Sequence, residues 1–215
     1  MIEAVIFDLD GVLIDSEHVW DEVREQLVRE RGGRWHEGAQ ADMMGMSSTE
    51  WSLYMHDVIG LPETPAEISA EVVRRMEARY AEHLPLIDGA VEAVQRLAGS
   101  FRLGLASSSN RTIIDAVLSR ASLTDLFEVT VSSEEVARGK PAPDVFLEAA
   151  RRLGVAPERC AAIEDSGNGI RSAHAAGMRV VAIPNRRYPP PENALLLAEA
   201  IDSLADLRPE TLPAK

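Results

Sequence analysis

The chain has 215 residues, of which 46% are hydrophobic and 27% are charged, and its formal net charge is −13. These values are typical of a globular protein with a substantial core, and the acidic balance argues against nucleic acids and anionic membranes as partners. No stretch approaches the about 20 apolar residues that span a bilayer, and the N-terminus lacks a signal-peptide pattern, so we expect a cytoplasmic protein without membrane association.

The first predicted element is a buried strand, Ala4 to Phe7, which runs into Asp8-Leu9-Asp10-Gly11. Side chains at positions i and i+2 of an extended chain point to the same side, so Asp8 and Asp10 project together. Two carboxylates held this close repel each other unless a cation or a shared proton intervenes. The pair therefore predicts either a hard-metal site or an acid/base pair.

The next stretch, residues 15–83, is predicted to be helical throughout. Trp20, Val23 and Leu27 share one helix face, and a second face repeats at four-residue steps. That second face consists of Ile68, Val72, Met76 and Tyr80. Because glycines and prolines divide the stretch, we expect roughly four helices, forming an insert that lies over the strand ends.

After residue 86 short apolar runs alternate with amphipathic segments. The runs are residues 102–106, 128–131, 160–163 and 179–183. Such alternation indicates β-α units that form a parallel sheet. We therefore predict an α/β protein with a Rossmann-like parallel sheet, covered by helices on both faces. Its core comprises residues 1–14 and 84–215, and the all-helical domain of residues 15–83 is inserted into it.

Ligands collect at the carboxyl ends of strands in parallel sheets, and polar residues follow each of these strands. Ser107 to Asn110 precede a predicted helix, where hydroxyls and free amides bind phosphate or simply cap the helix. Lys140 follows the third strand and, apart from Lys215, is the only lysine among 22 basic residues. A site that needs a compact charge with rotatable donors favours lysine over arginine.

The fourth strand ends in a second acidic pair, Glu164-Asp165, next to Ser166 and a glycine-rich turn. A carboxylate cluster opposite Asp8 forms an oxygen-rich pocket that suits Mg²⁺. Acid, hydroxyl, amine and acid at successive strand ends indicate a functional site rather than packing alone.

Taken together, these residues resemble the signature motifs of the haloacid dehalogenase superfamily of phosphatases and phosphomutases. The matching motifs, in chain order, are Asp8-x-Asp10-Gly11-Val12, Ser107 after an apolar strand, Lys140-Pro141, and Glu164-Asp165-Ser166 leading to Gly169. The insert corresponds to the helical cap domain of that family. Asp15-Ser16-Glu17 resembles the variant found in small sugar-phosphate phosphatases and β-phosphoglucomutase-like enzymes.

The resemblance implies a reaction through an aspartyl phosphate. Asp8 is then the nucleophile, while Asp10 protonates the leaving oxygen and later activates water. Mg²⁺ would be held by the Asp8 carboxylate, the Asp10 backbone carbonyl and Asp165. Glu164 would be a further ligand or a partner of the ligands.

The resemblance also implies the groups that contact the substrate. Ser107 and the Ser108 amide would bind the transferring oxygens, and Lys140 would neutralise charge on the phosphoryl group and on Asp8. Cap residues would set specificity, with candidates Glu17, Trp20, Met46, Ser47, Ser48 and Trp51. Independently of the resemblance, Arg186 and Arg187 follow the last strand; we expect them to be surface residues, and the alternative is that they reach an anionic substrate.

Single residues distinguish the branches of the family that catalyse different reactions. Asp10 disfavours the dehalogenase branch, and the absence of a cap lysine excludes the phosphonatase branch. Mutase-like members carry a histidine and an arginine where this chain has Trp20 and Ser48, so a distal phosphate lacks an obvious counter-charge.

We therefore expect a Mg²⁺-dependent phosphatase that acts, as a monomer, on a small phosphorylated metabolite of the sugar or polyol class. The alternative is a β-phosphoglucomutase-like mutase. A phospho-receiver signalling module is a more distant alternative, because such modules are roughly half as long as this chain and lack an inserted domain.

Overall fold

The computed structural model describes residues 1–212, so Lys215 and the end of the predicted core lie outside the described residues. The strands are β1 (Ala4–Phe7), β2 (Arg102–Ser107), β3 (Val129–Ser132), β4 (Cys160–Glu164), β5 (Arg179–Ala182) and β6 (Glu199–Ala200). The helices are α1 (Glu17–Arg31), α2 (Ala39–Met43), α3 (Ser48–Asp57), α4 (Pro65–Glu82), α5 (Ala90–Ala98), α6 (Arg111–Arg120), α7 (Asp144–Leu153), α8 (Gly167–Ala175) and α9 (Glu192–Leu195).

All strand pairs are parallel, and the sheet order is β3-β2-β1-β4-β5-β6. The predicted Rossmann-like α/β fold is confirmed. All predicted strands are present, although β3 begins one residue later than expected. The two-residue β6 was not predicted, because both of its residues are exposed and it has no apolar run.

Helices cover both faces of the sheet, as predicted. Val5 and Phe7 of β1 pack in one cluster with buried residues of α5 and α6, whereas Ala4 and Ile6 pack in a second cluster with α7 and α8. Both faces of β1 are therefore apolar, which explains its uninterrupted hydrophobic run.

The segment between β1 and α5 contains α1 to α4 and confirms the all-helical prediction; we call residues 15–83 the helical insert. Its predicted faces are buried, including Trp20, Val23 and Leu27 of α1. The chain enters and leaves the insert through adjacent segments: the Asp15 amide donates to Pro85 O at 2.8 Å, and the Ile87 amide donates to Leu13 O at 3.0 Å. That the insert forms a separate domain stays a prediction.

The sheet register brings three strand ends together. Phe7 lies beside Leu105 of β2 and Ile163 of β4, so the next residue of each strand meets at one edge. Asp8 consequently lies next to Ala106 and Glu164. Among residues 1–212, none of the helices combines the length and apolar character that a membrane crossing requires.

Candidate active site

Lys140 connects the first and fourth strand ends. Its ammonium group donates to Asp8 Oδ1 and Glu164 Oε1, both at 2.6 Å, and to Ala106 O at 3.1 Å. All three donors of this buried lysine are thereby used. Burial opposes the charged form, but the carboxylates of Asp8 and Glu164 outweigh burial and raise the pKa of Lys140 above its usual range. Lys140 is therefore a fixed cation between two acids.

Both carboxylate oxygens of Glu164 are occupied. Oε1 accepts from Lys140, and Oε2 accepts from the Asp165 amide at 3.0 Å and from the amide and hydroxyl of Ser166, both at 3.1 Å. A Cβ atom at Gly169 would lie 1.7 Å from Glu164 Oε1, so glycine is needed there for this placement. Glu164 is held rigidly, which suits a residue that orients Lys140 and the loop after β4.

Asp8, Glu164 and Asp165 form a buried acidic cluster whose members each offer an oxygen within 4.8 Å of the others. Burial, together with the neighbouring carboxylates, raises the pKa of Asp8 and of Asp165 well above the ordinary range, although Lys140 opposes this at Asp8. An additional positive charge next to Asp8 and Asp165 would therefore favour the ionised form of both carboxyl groups over the protonated form. A Cβ atom at Gly11 would lie 1.9 Å from Asp165 Oδ2, so the chain leaves room for this carboxylate. Hard oxygen donors with unbalanced negative charge fit a divalent cation.

Asp10 accepts three hydrogen bonds from side chains. Oδ1 accepts from Ser16 Oγ at 2.5 Å and from Trp20 Nε1 at 3.0 Å, and Oδ2 accepts from Ser109 Oγ at 2.6 Å. Ser16 and Trp20 belong to the helical insert, whereas Ser109 follows β2. The insert and the core therefore fix this carboxylate together.

A cavity of about 50 Å³ opens onto these groups. It is lined by Asp8, Asp10, Glu17, Trp20, Arg24, Met43, Met44, Gly45, Met46, Trp51, Ser108, Ser109, Lys140, Asp165 and Ser166. Most of the predicted site residues are thus brought together, including four of the predicted insert residues, Glu17, Trp20, Met46 and Trp51.

Four other predicted site residues lie outside this lining, namely Glu164, Ser107, Ser47 and Ser48. Ser107 is fully buried, and its hydroxyl accepts the Ser109 amide at 3.0 Å. Ser47 caps α3 through a reciprocal pair of bonds with Glu50. Ser48 donates to Glu134 Oε1 at 3.2 Å, which ties the insert to the core. Arg186 and Arg187 are exposed in the loop after β5, as expected.

Two polar residues of the cavity network were not predicted as site residues. Arg24 Nη1 donates to Gln40 Oε1 at 3.2 Å, and Gln40 Nε2 donates to Glu17 Oε2 at 2.7 Å. Arg24 could have been found, because it follows Trp20 by four residues and so shares the buried face of α1. No comparable sequence signal marks Gln40, which lies on the short helix α2.

Burial, followed by the negative charge of Asp10, raises the pKa of Glu17 to about 7, although Arg24 and Gln40 act in the opposite direction. This carboxyl group therefore changes its charge near neutral pH. Its position in the cavity makes the cavity's charge sensitive to pH.

Comparison with known proteins places these features in a family. A family model described as a haloacid dehalogenase-like hydrolase matches residues 2–177. Protein CbbY of Rhodobacter capsulatus is 33% identical over 86% of this chain and 86% of its own length. Hexitol phosphatase B of Escherichia coli K12 is 32% identical over 98% of this chain and 96% of its own. A crystal structure of β-phosphoglucomutase from Clostridium difficile has a TM-score of 0.84 and 26% identity, covering 99% of this chain and 96% of that one.

Proposed function

This chain belongs to the haloacid dehalogenase-like hydrolases and is a phosphoric monoester hydrolase. We propose the following reaction for it. It hydrolyses a small phosphorylated metabolite of the sugar or polyol class with Mg²⁺, through an aspartyl-phosphate intermediate on Asp8. The observation that carries this proposal is the pairing of two differently held aspartates. Asp8 is buried against Lys140, whereas Asp10, two residues later, is held by three side-chain donors.

Asp8 and Asp10 divide the chemistry between them. A carboxylate oxygen of Asp8 attacks phosphorus while the bond to the ester oxygen breaks, and Asp10 donates a proton to that oxygen as the alcohol leaves. A water molecule then attacks the phosphorus of the aspartyl phosphate and gives a proton to Asp10. This step releases inorganic phosphate and restores Asp8. Ser108, which lines the cavity, binds the phosphoryl oxygens, and the buried Ser107 hydroxyl positions that loop by accepting the Ser109 amide. Lys140 neutralises charge on the phosphoryl group and on Asp8.

The acidic cluster fits a divalent cation, because it offers hard oxygen donors and carries unbalanced negative charge. Asp8 and Asp165 would hold Mg²⁺, together with the Asp10 backbone carbonyl. Glu164 would support the ligands, since both of its oxygens already accept hydrogen bonds from the protein. When bound, Mg²⁺ supplies positive charge that offsets the repulsion between the Asp8 carboxylate and a phosphate dianion.

The substrate class is supported by the cavity and by the relatives. The name of the E. coli relative refers to a hexitol, and the cavity here presents Glu17 and Arg24 beside two indole rings. Charged and amide groups next to aromatic faces suit a polyhydroxylated molecule that needs hydrogen bonds and an apolar wall. We propose that the helical insert serves as the cap that supplies this recognition.

A mutase remains the second candidate, and one observation favours it. The mutase alternative was disfavoured because no arginine stands at the expected position, yet Arg24 brings a cation into the cavity from α1. A structural relative is a β-phosphoglucomutase. The same cavity could therefore hold a second phosphate.

A Mg²⁺-dependent screen tests these proposals. Phosphorylated sugars, polyols, nucleotides and short acids would be incubated with the protein, and inorganic phosphate would be measured with and without EDTA. We expect multiple turnover that requires Mg²⁺ and is fastest on a sugar or polyol phosphate. β-Glucose 1-phosphate with its bisphosphate would be included. Glucose 6-phosphate formed without net release of inorganic phosphate would establish the mutase instead. Absence of phosphate release from every ester would refute the hydrolase proposal.

A further inference from the structure

Arg24 is a buried cation that the protein leaves only partly satisfied. The residue is 5% exposed and lines the cavity. Nη1 donates to Gln40 Oε1 at 3.2 Å, but Nε has no hydrogen-bond partner within the described part of the chain. Buried arginine donors are normally paired, because an unpaired one keeps its full desolvation cost.

The charge of Arg24 is also poorly balanced. Within residues 1–212 no carboxylate lies at ion-pair distance from its guanidinium, which instead lies 4.8 Å from the ring centroids of both Trp20 and Trp51. Burial lowers its pKa to about 10 and outweighs the attraction of Glu17 and Asp10. An apolar side chain of similar length would fill this space at lower cost, so packing alone does not explain an arginine here.

Among the described residues that line the cavity, Arg24 is the one cation with an unused donor. The other cation in the lining is Lys140, whose three donors are used by Asp8, Glu164 and Ala106. The two indole faces hold the planar guanidinium of Arg24 in place. A positioned guanidinium suits an anionic oxygen group, to which it can donate from two nitrogens at once.

We propose that Arg24 is a specificity-determining residue that binds a second anionic oxygen group of the substrate, a carboxylate or a phosphate, away from the phosphoryl group that Asp8 takes. This inference rests on the proposed phosphatase function and narrows its substrate class. The preferred substrate is a phosphorylated sugar acid or a bisphosphate rather than a phosphorylated neutral polyol. Among residues 1–212 Glu17 forms no ion pair with the guanidinium, and its carboxylate instead accepts from Gln40.

Three six-carbon substrates that differ at one end test the proposal. Glucitol 6-phosphate has a neutral end, 6-phosphogluconate has a carboxylate, and glucitol 1,6-bisphosphate has a second phosphate. The kcat/KM of each would be measured with Mg²⁺ for the unaltered protein and for Arg24→Met, which keeps a long side chain between the indole rings. Arg29→Met is the matched control, since Arg29 lies on the same helix but is exposed and pairs with Glu25 at 2.7 Å.

We expect the unaltered protein to favour at least one acidic substrate over the neutral one by about 10- to 100-fold, the range that a charged hydrogen bond contributes. Arg24→Met should lose that preference, mainly through a higher KM for the acidic substrate, so that its kcat/KM on acidic and neutral substrates becomes similar. The acidic substrate whose kcat/KM falls more in Arg24→Met identifies the group, carboxylate or phosphate, that Arg24 binds. Arg29→Met should change none of the three rates.

Two results would overturn the inference while leaving the phosphatase function intact: equal turnover of acidic and neutral substrates by the unaltered protein, or an equal loss on all three in Arg24→Met. The first comparison needs no variant, so it can overturn the inference even if Arg24→Met does not fold. Failure of the unaltered protein to hydrolyse any ester would instead refute both proposals.

Discussion

Asp8 and Asp10 are neighbours along the strand end but have different surroundings. Asp8 is bonded to the Lys140 ammonium, whereas Asp10 is bonded to neutral donors. We predict that Asp8→Asn abolishes hydrolysis of p-nitrophenyl phosphate, because an amide cannot take the phosphoryl group. Asp10→Asn should slow it by about 10²- to 10⁴-fold, the usual contribution of a general acid/base.

Asp88→Asn is the control for these two substitutions, since Asp88 is exposed on the loop before α5. It should keep the full rate. Thermal unfolding would show that all three variants are folded. A folded Asp8→Asn protein with near-normal turnover would contradict the assigned nucleophile.

Glu17 gives a prediction about pH. Burial and Asp10 raise its pKa from the ordinary 4.5 to about 7 in the folded protein. Between these values the folded state binds more protons than the unfolded state, so Glu17 makes stability fall as pH rises. Glu17→Gln removes this titration and can still accept from Gln40. We expect its melting temperature, measured with EDTA present, to match the unaltered protein near pH 4.5 and to exceed it above pH 7. A difference that does not vary with pH would contradict this.

At the scale of single residues, the sequence predicted the groups that follow the strand ends but not what holds them. Asp8 is predictable from the Asp-x-Asp pattern after the first strand, and Lys140 from the rarity of lysine in the sequence. The bond from Ser109 to Asp10 spans 99 positions, and only the sheet register brings the two together. Arg24 lies on the buried face of α1, where the periodic pattern alone predicts apolar side chains and gives no sign of a functional cation.

Helix α8 contains Gly169, and the need for glycine at this position can be tested directly. Alanine is ordinarily the better helix former by about 0.5–1 kcal/mol. Here its Cβ would overlap Glu164, whose two oxygens are held by Lys140 and the loop after β4. We predict that Gly169→Ala lowers kcat/KM at least tenfold and destabilises the protein by about 1–3 kcal/mol, as overpacking does.

Gly99→Ala is the matched control for that substitution. Gly99 ends α5 with ordinary helical angles, and an added Cβ would approach nothing nearer than 3.7 Å. Its stability should stay within about 0.5 kcal/mol of the unaltered protein, and its activity should be unchanged. Chemical denaturation and steady-state kinetics measure both effects. A fully active Gly169→Ala protein would show that Glu164 can move without cost.

Long periodic elements were predictable, and short ones were not. The face of α4 repeats Ile68, Val72, Met76 and Tyr80 along eighteen residues, and all four are buried as expected. The two residues of β6 pair beside β5 without any pattern of their own. An exposed strand this short is specified by its neighbour, because it has too few side chains to show alternation.

At the scale of the whole molecule, the small cavity predicts a movement of the insert. A volume of about 50 Å³ is far below the about 300 Å³ of a typical ligand pocket, so we predict that the insert and core move apart when a substrate enters. Insert and core share polar bonds, including Ser48 to Glu134 and Asn168 to Met44 O at 3.3 Å, and their buried apolar side chains belong to one hydrophobic cluster. Such contacts join residues far apart in the chain, which is why the sequence predicted an insert but not its closure.

All three tryptophans of the chain lie in the helical insert, and two of them, Trp20 and Trp51, line the cavity. We predict a saturable change in tryptophan fluorescence when inorganic phosphate is added with Mg²⁺. Trp35→Phe should keep the change, because Trp35 lies outside the cavity lining, whereas Trp51→Phe should lose much of it. A change that disappears with Trp35 alone would contradict binding in this cavity.

The adjacent segments that carry the insert have a consequence for engineering. Since Asp15 bonds to Pro85 and Ile87 bonds to Leu13, the two junctions already lie side by side. A foreign helical cassette could be grafted there without stretching the backbone. Such a chimera would have to keep Ser16 and Trp20, which donate to Asp10, while the rest of the recognition surface is exchanged to redesign selectivity.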